Sequence, residues 1–299
     1  MKILMVAMLM LGAAARIGAA NALVIQTDFG TKDGAVAAMK GIAFGVSSAL
    51  PIFDLSQENT PYDIWEAAYR LKQTAAFWPA GTVFVSVVDP GVGTDRAAVV
   101  VRTKSGHFFV GPDNGTWTFV AEQLGVDGVR RIDDARNRRP GSEKSHTFHG
   151  RDIFAYVGAR LAAGVIPFEE VGPALAAEVV RLPYQAAARD GDALVGTIPQ
   201  IDFQYGNVWT NIPDALFQAL TPAPRIGDVF RVVISHAGKE VWRGEVPYAR
   251  TFGDVREGEP LLYLNSLLDV ALALNQGSFS AKHQISSGGD WTVRLERAK

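Results

Sequence analysis

The stretch that most constrains this chain is residues 82–96, TVFVSVVDPGVGTDR. Thr82–Val88 is a short run of Val and Phe, the make-up of a strand buried on both faces of a parallel sheet. Asp89-Pro90-Gly91 stops it: proline cannot continue the ladder, and glycine lets the backbone turn tightly beyond the strand's carboxyl end. The turn carries a carboxylate, Asp89, and a guanidinium, Arg96, with two glycines between them. Ligands of open α/β sheets bind beyond the carboxyl ends of the strands, so this loop is expected to hold a chemical site.

The rest of the N-terminal half reads as alternating strands and helices. Leu23–Phe29 is a first strand, 30–34 a loop, and Asp33 a plausible N-cap for a helix over 35–47. Pro51–Leu55 is a second strand, and Tyr62–Phe77 has apolar residues at helical spacing. Residues 97–103 and 107–110 flank the turn Lys104-Ser105-Gly106 as a hairpin. Gly111–Gly115 is a sharp loop, 116–124 a short helix, 128–132 a strand, 134–146 a polar, basic loop and Arg151–Ala163 a helix. This order predicts a three-layer α/β domain with a largely parallel sheet over residues 23–184. After Pro183 the pattern changes. QAAARDGD (185–192) reads as a linker; 193–203, 207–212, 228–235, 239–246 and 261–265 read as strands, and 267–275 as the one helix among them. A smaller, β-rich, barrel-like domain is expected over 193–299.

Composition narrows the function classes. The net charge is −2 over 299 residues, so no electrostatic footprint for nucleic acid is visible. Cysteine is absent, which excludes disulfides and thiolate metal sites. Residues 1–22 resemble a secretory signal peptide: Lys2, an apolar run of 13 residues from Ile3 to Ala15, then Ala20-Asn21-Ala22. That run falls short of the roughly 20 residues a membrane span requires. The mature chain is expected to begin near Leu23 and to be exported, periplasmic or secreted, with no membrane association after cleavage. Without Lys2 and Arg16 it carries 27 basic against 31 acidic residues, a net −4.

Four polar stretches fall at predicted strand ends or helix starts on one edge of the sheet: Thr27–Gly30, Asp89–Arg96, Gly111–Gly115 and Thr147–Asp152. Singly, each has a bland explanation as a turn or cap; together they indicate a ligand-binding α/β protein, with hydrolysis one possible chemistry. A G-x-x-x-x-G-K-[ST] loop, a G-x-G-x-x-G after the first strand, a G-x-S-x-G elbow and an H-E-x-x-H pair are all absent. His146 and His149 stand three apart with no evident third ligand, so no metal is expected.

The segments TDFGTKDG, VVDPGVGTDR, FVGPDNGTWT and TFHGRDIF occur in this order. They are followed by IDFQYGNVWTNI and YLNSLLDVALALNQGS. Over Leu23–Ser278 this set resembles the S-adenosylmethionine hydrolases (SAM hydroxide adenosyltransferases), relatives of the fluorinase and chlorinase enzymes. The resemblance implies cleavage of S-adenosylmethionine to adenosine and L-methionine by a water-derived nucleophile. An Asp–Arg–His set holds that nucleophile, here Asp89, Arg96 and His149, and no cofactor is involved. It implies ribose contacts from Asp28, the methionine amino group at Asp202, adenine at Asn207 and near Gln276, and Trp209 in the pocket wall. Tyr205 stands where a ring commonly stacks, and Ser266 near the methionine carboxylate. It further implies a homotrimer with sites at subunit interfaces. Which of Asp89 and His149 is the base stays open. The chain departs from the family at Asp54-Leu55-Ser56-Gln57, where a histidine is usual at the last position. It departs again at Asn265-Ser266-Leu267-Leu268, where the last is usually glycine. An exported protein would seldom meet a cytoplasmic metabolite. Two other readings therefore stand beside hydrolysis of S-adenosylmethionine: hydrolysis of another 5′-substituted adenosine, and binding of an adenosyl ligand without catalysis. Halide use is a third, disfavoured by the Asp–Arg–His set.

Overall fold

The structure, a computed structural model, describes residues 21–298. The signal-peptide expectation rests on residues 1–22 and lies almost wholly outside them. In the N-terminal half, β1 (Leu23–Thr27) runs parallel to both of its neighbours, β2 (Ile52–Ser56) and β3 (Val83–Val87). Next come β4 (Ala98–Thr103), β5 (Phe108–Pro112), β6 (Val126–Arg131) and the short β7 (Ala174–Leu175). The seven-stranded order is β2-β1-β3-β5-β4-β6-β7. β5 joins β3 in parallel, whereas β4, β6 and β7 pair antiparallel.

The centre of the sheet is covered on both faces, which is why β1 and β3 are buried along their whole length, while β2, β6 and β7 toward the edges are not. Along β1 and β3 the side chains alternate between two cores. Leu23, Ile25, Val83, Val85 and Val87 enter one cluster; Val24 and Phe84 enter the other. The α-helices here are α1 (Ala35–Val46), α2 (Ile64–Ala75), α3 (Thr118–Leu124), the one-turn α4 (Asp134–Asn137) and α5 (Tyr156–Ala162). α1 and α5 supply Met39, Ala43, Val157 and Ala159 to the first core; α2 and α3 supply Leu71, Ala75, Val120 and Ala121 to the second. The three-layer α/β expectation therefore holds. Since β2 and β3 lie on opposite sides of β1, the chain diverges after β1, and a crevice opens beyond the carboxyl ends of β1 and β3.

The C-terminal half contains two antiparallel sheets. One has β8 (Ala188–Asp190), β9 (Ala193–Ile198), β12 (Val229–His236), β13 (Lys239–Pro247) and β16 (Gly288–Arg297). The other has β10 (Gln200–Ile201), β11 (Val208–Pro213), β14 (Pro260–Leu264) and β15 (Asp269–Leu274). Leu194, Phe230, Val293, Val208 and Leu272 from both sheets share one core with Phe217 of α6 (Asp214–Leu220) and Phe279 of α7 (Phe279–His283).

Several expectations are corrected. Residues 267–275 do not form a helix: all of β15 is buried, paired with β11 on one side and β14 on the other. A fully buried strand and a buried helix segment carry the same apolar run, and Asn265–Leu268 is the turn of a hairpin rather than a helix start. Part of the 185–192 linker is β8, added to the edge of β9. Pro199 splits the 193–203 strand into β9 and β10. The basic 134–146 loop opens with α4. α6, α7 and β16 are additional elements; in β16 buried Trp291, Val293 and Leu295 alternate with half-buried polar residues. Asp33 does receive the Ala35 N–H, at 2.9 Å, but the residue preceding α1 is Gly34.

The two halves meet in an apolar cluster. Tyr69 and Phe119 of the first pack with Trp209, Leu261, Tyr263 and Ala271 of the second. Trp65 donates its indole N–H across the junction to the Pro199 carbonyl at 2.8 Å.

Candidate active site

The crevice beyond β1 and β3 is a cavity of about 400 Å³, within the size range of small-molecule sites. Asp28, Asp89 and His149 line it, with Phe29, Tyr62 and Phe148. Three of the four polar stretches thus converge. Asp28 follows β1 directly, and its Oδ2 accepts the Tyr62 N–H at 2.9 Å. The buried Gln57 holds this turn. Its Oε1 accepts from the Thr27 hydroxyl at 2.6 Å, its Nε2 donates to the Ile25 carbonyl at 3.0 Å, and its own carbonyl accepts the Gly30 N–H at 2.7 Å. The departure at position 57 is therefore a clamp between the ends of β1 and β2, formed by a side chain that does not titrate.

Asp89, Arg96 and His149 form a continuous chain. Arg96 Nε lies 2.9 Å and 3.1 Å from the two Asp89 oxygens, and its Nη2 also donates to Oδ2. The same Nη2 lies 3.0 Å from His149 Nδ1. The side chains are largely shielded, Asp89 being 5% and Arg96 11% exposed. A guanidinium can only donate, so Nδ1 must accept, and the neutral imidazole carries its hydrogen on Nε2. Burial pushes the His149 pKa below its usual value; the Arg96 and Arg138 charges push the same way, against weaker opposition from Asp89 and Asp134.

His149 sits immediately before a π-helical turn, Gly150–Ala155, that leads into α5. Asp152 in that turn is wholly buried and bound by two arginines, Arg139 Nε at 3.0 Å and Arg151 Nη2 at 2.8 Å. Burial alone would raise its carboxyl; Arg151 and Arg139 outweigh that and hold it at about 2. The wide turn is thereby anchored next to the imidazole.

A second cavity, of about 560 Å³, lies in the C-terminal half and shares no lining residue with the first. Tyr205, Asn207, Phe252, Gln276 and Ser278 are among its lining residues. The turn 202–207 that forms part of it is closed by Gly206 N–H donating to the Asp202 carbonyl at 2.7 Å, and Asn207 Nδ2 reaches Asp202 Oδ2 at 3.1 Å. Gly206 has φ +69°, and a Cβ there would stand 1.9 Å from Ser278 Oγ, so only glycine fits. Phe203 and Tyr205 are 84% and 68% exposed, unusual for aromatic rings and notable beside a cavity.

Other expected residues lie elsewhere. Trp209 is in the apolar junction, not in the lining of the cavity that holds Asn207. Ser266 faces a third cavity with Lys72, Phe77, Leu267 and Asp269. Of the GPDNG loop, Asn114 donates to the Val88 carbonyl at 3.0 Å and Asp113 accepts the Val180 N–H at 3.0 Å; these pin the ends of strands. Tyr62, Phe148 and Phe252 were not singled out from the sequence. Proline before Tyr62 and the turn residues around Phe252 were the available signals, and neither distinguishes a cavity wall from a surface loop.

A three-layer α/β unit carrying an acid–guanidinium–imidazole chain at its switch point, joined to a β-rich unit with a second cavity, defines a two-part α/β protein with a candidate small-molecule site in each part. The chain belongs to the SAM hydroxide adenosyltransferase family: the family's N-terminal domain matches residues 23–172 and its C-terminal domain residues 196–292. It is 37% identical to an (R)-S-adenosyl-L-methionine hydrolase of Salinispora tropica, over 84% of this chain and 89% of that one. It is 28% identical to a fluorinase of Actinoplanes sp., over 91% and 96%. A crystal structure of a conserved protein from Thermotoga maritima superposes with a TM-score of 0.83 at 34% identity, covering 92% of this chain and all of the other.

Proposed function

We propose that the protein hydrolyses S-adenosylmethionine to adenosine and L-methionine, with Asp89, Arg96 and His149 activating the water. The observation that carries this reading is the Arg96 guanidinium bound at once to Asp89 and His149, two residues that line one cavity with Asp28. The sulfonium is already an excellent leaving group, so no general acid is required; the deficit is a nucleophile, since bulk water has a pKa near 15.7. A guanidinium about 4 Å from a developing hydroxide contributes about 4 kcal/mol at an effective dielectric near 20, equivalent to about three pKa units. Arg96 therefore needs a proton acceptor beside it. While Arg96 occupies Nδ1, His149 offers an N–H at Nε2, suited to holding the attacking oxygen rather than taking its proton. Asp89 is then the acceptor. The water oxygen bonds to the ribose C5′, the C5′–S bond breaks with its electron pair passing to sulfur, and the water proton passes to Asp89 and on to solvent. In-line placement supplies much of the remaining acceleration.

In this reading Asp28 holds the ribose, Asn207 and Gln276 face adenine, Tyr205 stacks, and Asp202 and Ser266 attend the methionine end. The two cavities are separate within one chain, so we take the complete site to form between subunits of a homotrimer. Export through residues 1–22 is part of the same proposal. The reaction as drawn uses no cofactor or metal.

The test is chromatography of the chain from Leu23 incubated with S-adenosylmethionine, beside Arg96→Ala. Adenosine and methionine formed by the wild type alone are the expected result. No product from a folded wild type that still binds adenosine would overturn the hydrolase reading.

A further inference from the structure

A cavity of about 370 Å³ at the junction of the two halves holds none of the residues given a role in the reaction drawn above. It shares no residue with the cavities holding Asp89 or Asn207, and touches that of Ser266 only through Lys72, Gln123 and Asp269. Tyr69 lines it. The residue is wholly buried, yet its hydroxyl has no hydrogen-bond partner among the described residues, and buried hydroxyls are almost always bonded. Beside it, Lys72 Nζ lies 5.3 Å from the Tyr69 ring centroid and 3.3 Å from Asp269 Oδ2. Asp269 is only 9% exposed at its side chain, and that is the one side-chain hydrogen bond to its carboxylate among the described residues. Burial pushes the Asp269 carboxyl up, against the pull of Lys72. Phe119 and Leu216 give the cavity apolar lining.

These groups select a head group. Glu122, also in the lining, is already engaged by the Tyr184 hydroxyl and Arg181. Against the remaining groups a lone anion meets the Asp269 carboxylate, a lone cation meets the Lys72 ammonium, and a purely apolar occupant leaves the Tyr69 hydroxyl unpaired. A head that carries both charges satisfies all three. We propose that this cavity binds a free α-amino acid with an apolar side chain. Its carboxylate faces Lys72 and the Tyr69 hydroxyl, its ammonium faces Asp269, and its side chain lies against Phe119 and Leu216. Tyr69 and Lys72 come from α2 and Asp269 from β15, so an occupant ties the two halves together and raises the melting temperature.

The test is calorimetric titration and thermal melting of the full chain with L-leucine. Two truncated probes accompany it: 4-methylpentanoate, which lacks the ammonium, and 3-methylbutylamine, which lacks the carboxylate. Saturable binding of L-leucine with a raised melting temperature is expected, and about tenfold or greater weakening for each truncated probe. Tyr69→Phe, which keeps the ring and hence the packing, should weaken L-leucine about three- to tenfold; Asp269→Asn should do likewise. Asp202→Ala and Ser266→Ala should leave the affinity unchanged. Three results would overturn the proposal: no binding up to about 10 mM, wild-type affinity in Tyr69→Phe, or loss of binding in Asp202→Ala or Ser266→Ala. The last would assign the amino acid to the reaction's own site.

Discussion

Replacing Arg96 by alanine is the sharpest perturbation of the proposed mechanism. The change removes three contacts to Asp89 and one to His149 Nδ1 at 3.0 Å. Its catalytic cost follows from Coulomb's law. One unit charge about 4 Å from a developing hydroxide at an effective dielectric near 20 is worth about 4 kcal/mol, a factor of about 10³ in rate. The loss should fall on kcat, because the substrate's ribose and base are held by other residues; adenosine affinity should stay within about threefold, well under 1.4 kcal/mol. Arg96→Lys separates charge from geometry. It restores a cation but cannot fork between Asp89 and His149, so it should recover only part of the loss. Asp89, 5% exposed at its side chain, is left unpaired by the alanine variant, so the melting temperature should also fall, and assays belong well below it. The measurement is single-turnover release of adenosine, followed by chromatography, beside calorimetric adenosine binding. A kcat within tenfold of wild type in folded Arg96→Ala would refute the assignment of Arg96 to the nucleophile.

Further outcomes follow from other parts of the structure. His149 is held neutral below its usual pKa, so the Arg96–His149 bond should persist under pH 6.5. An acidic limb of kcat/KM attributable to His149, read against an NMR titration of its ring, should lie under that value, and a limb above it would contradict the buried contact. Stability should fall with pH in the same window, because the unfolded chain takes up the proton first. If the site forms between subunits, mixing unfolded Arg96→Ala and Asn207→Ala chains and refolding them together should regain activity that neither has alone; failure in a refolded trimer would confine the site to one chain. Leu268 has φ +62° and is 62% exposed, so Leu268→Gly should relieve about 1 kcal/mol of backbone strain and raise the melting temperature, and a drop would show that its side chain is needed. Trp209, 8% exposed in the junction, should cost about 3–5 kcal/mol of stability as alanine; denaturant titration checks this, and a small cost would return it to a binding role.

Much of the N-terminal half was legible because its signals are local. A Val/Phe run ending in Asp-Pro-Gly can be read without knowing its neighbours, and strands that alternate with helical patterns leave few topologies. The same locality failed at 267–275, where six successive buried residues suit a helix or a central strand equally. Only pairing with β11 and β14 decides between them. β16 is short on apolar residues: only Trp291, Val293 and Leu295 are buried. Thr292, Arg294 and Glu296 alternate with them on the more accessible face, so the segment carries no apolar run to mark it as a strand.

The sequence by itself determined residue chemistry and order: which carboxylates, guanidinium and imidazole are available, and that they fall beyond strand ends or before a helix. Tertiary structure decided which of them meet. Asp89, Arg96 and His149 span 61 positions and join through one guanidinium, while Asn114, in an equally suggestive loop, spends its side chain on the Val88 carbonyl. The tautomer of His149, the clamp at Gln57 and the burial of the Tyr69 hydroxyl likewise depend on contacts between distant segments. Such contacts are set by how helices and strands pack, and side-chain spacing along the chain carries no record of them.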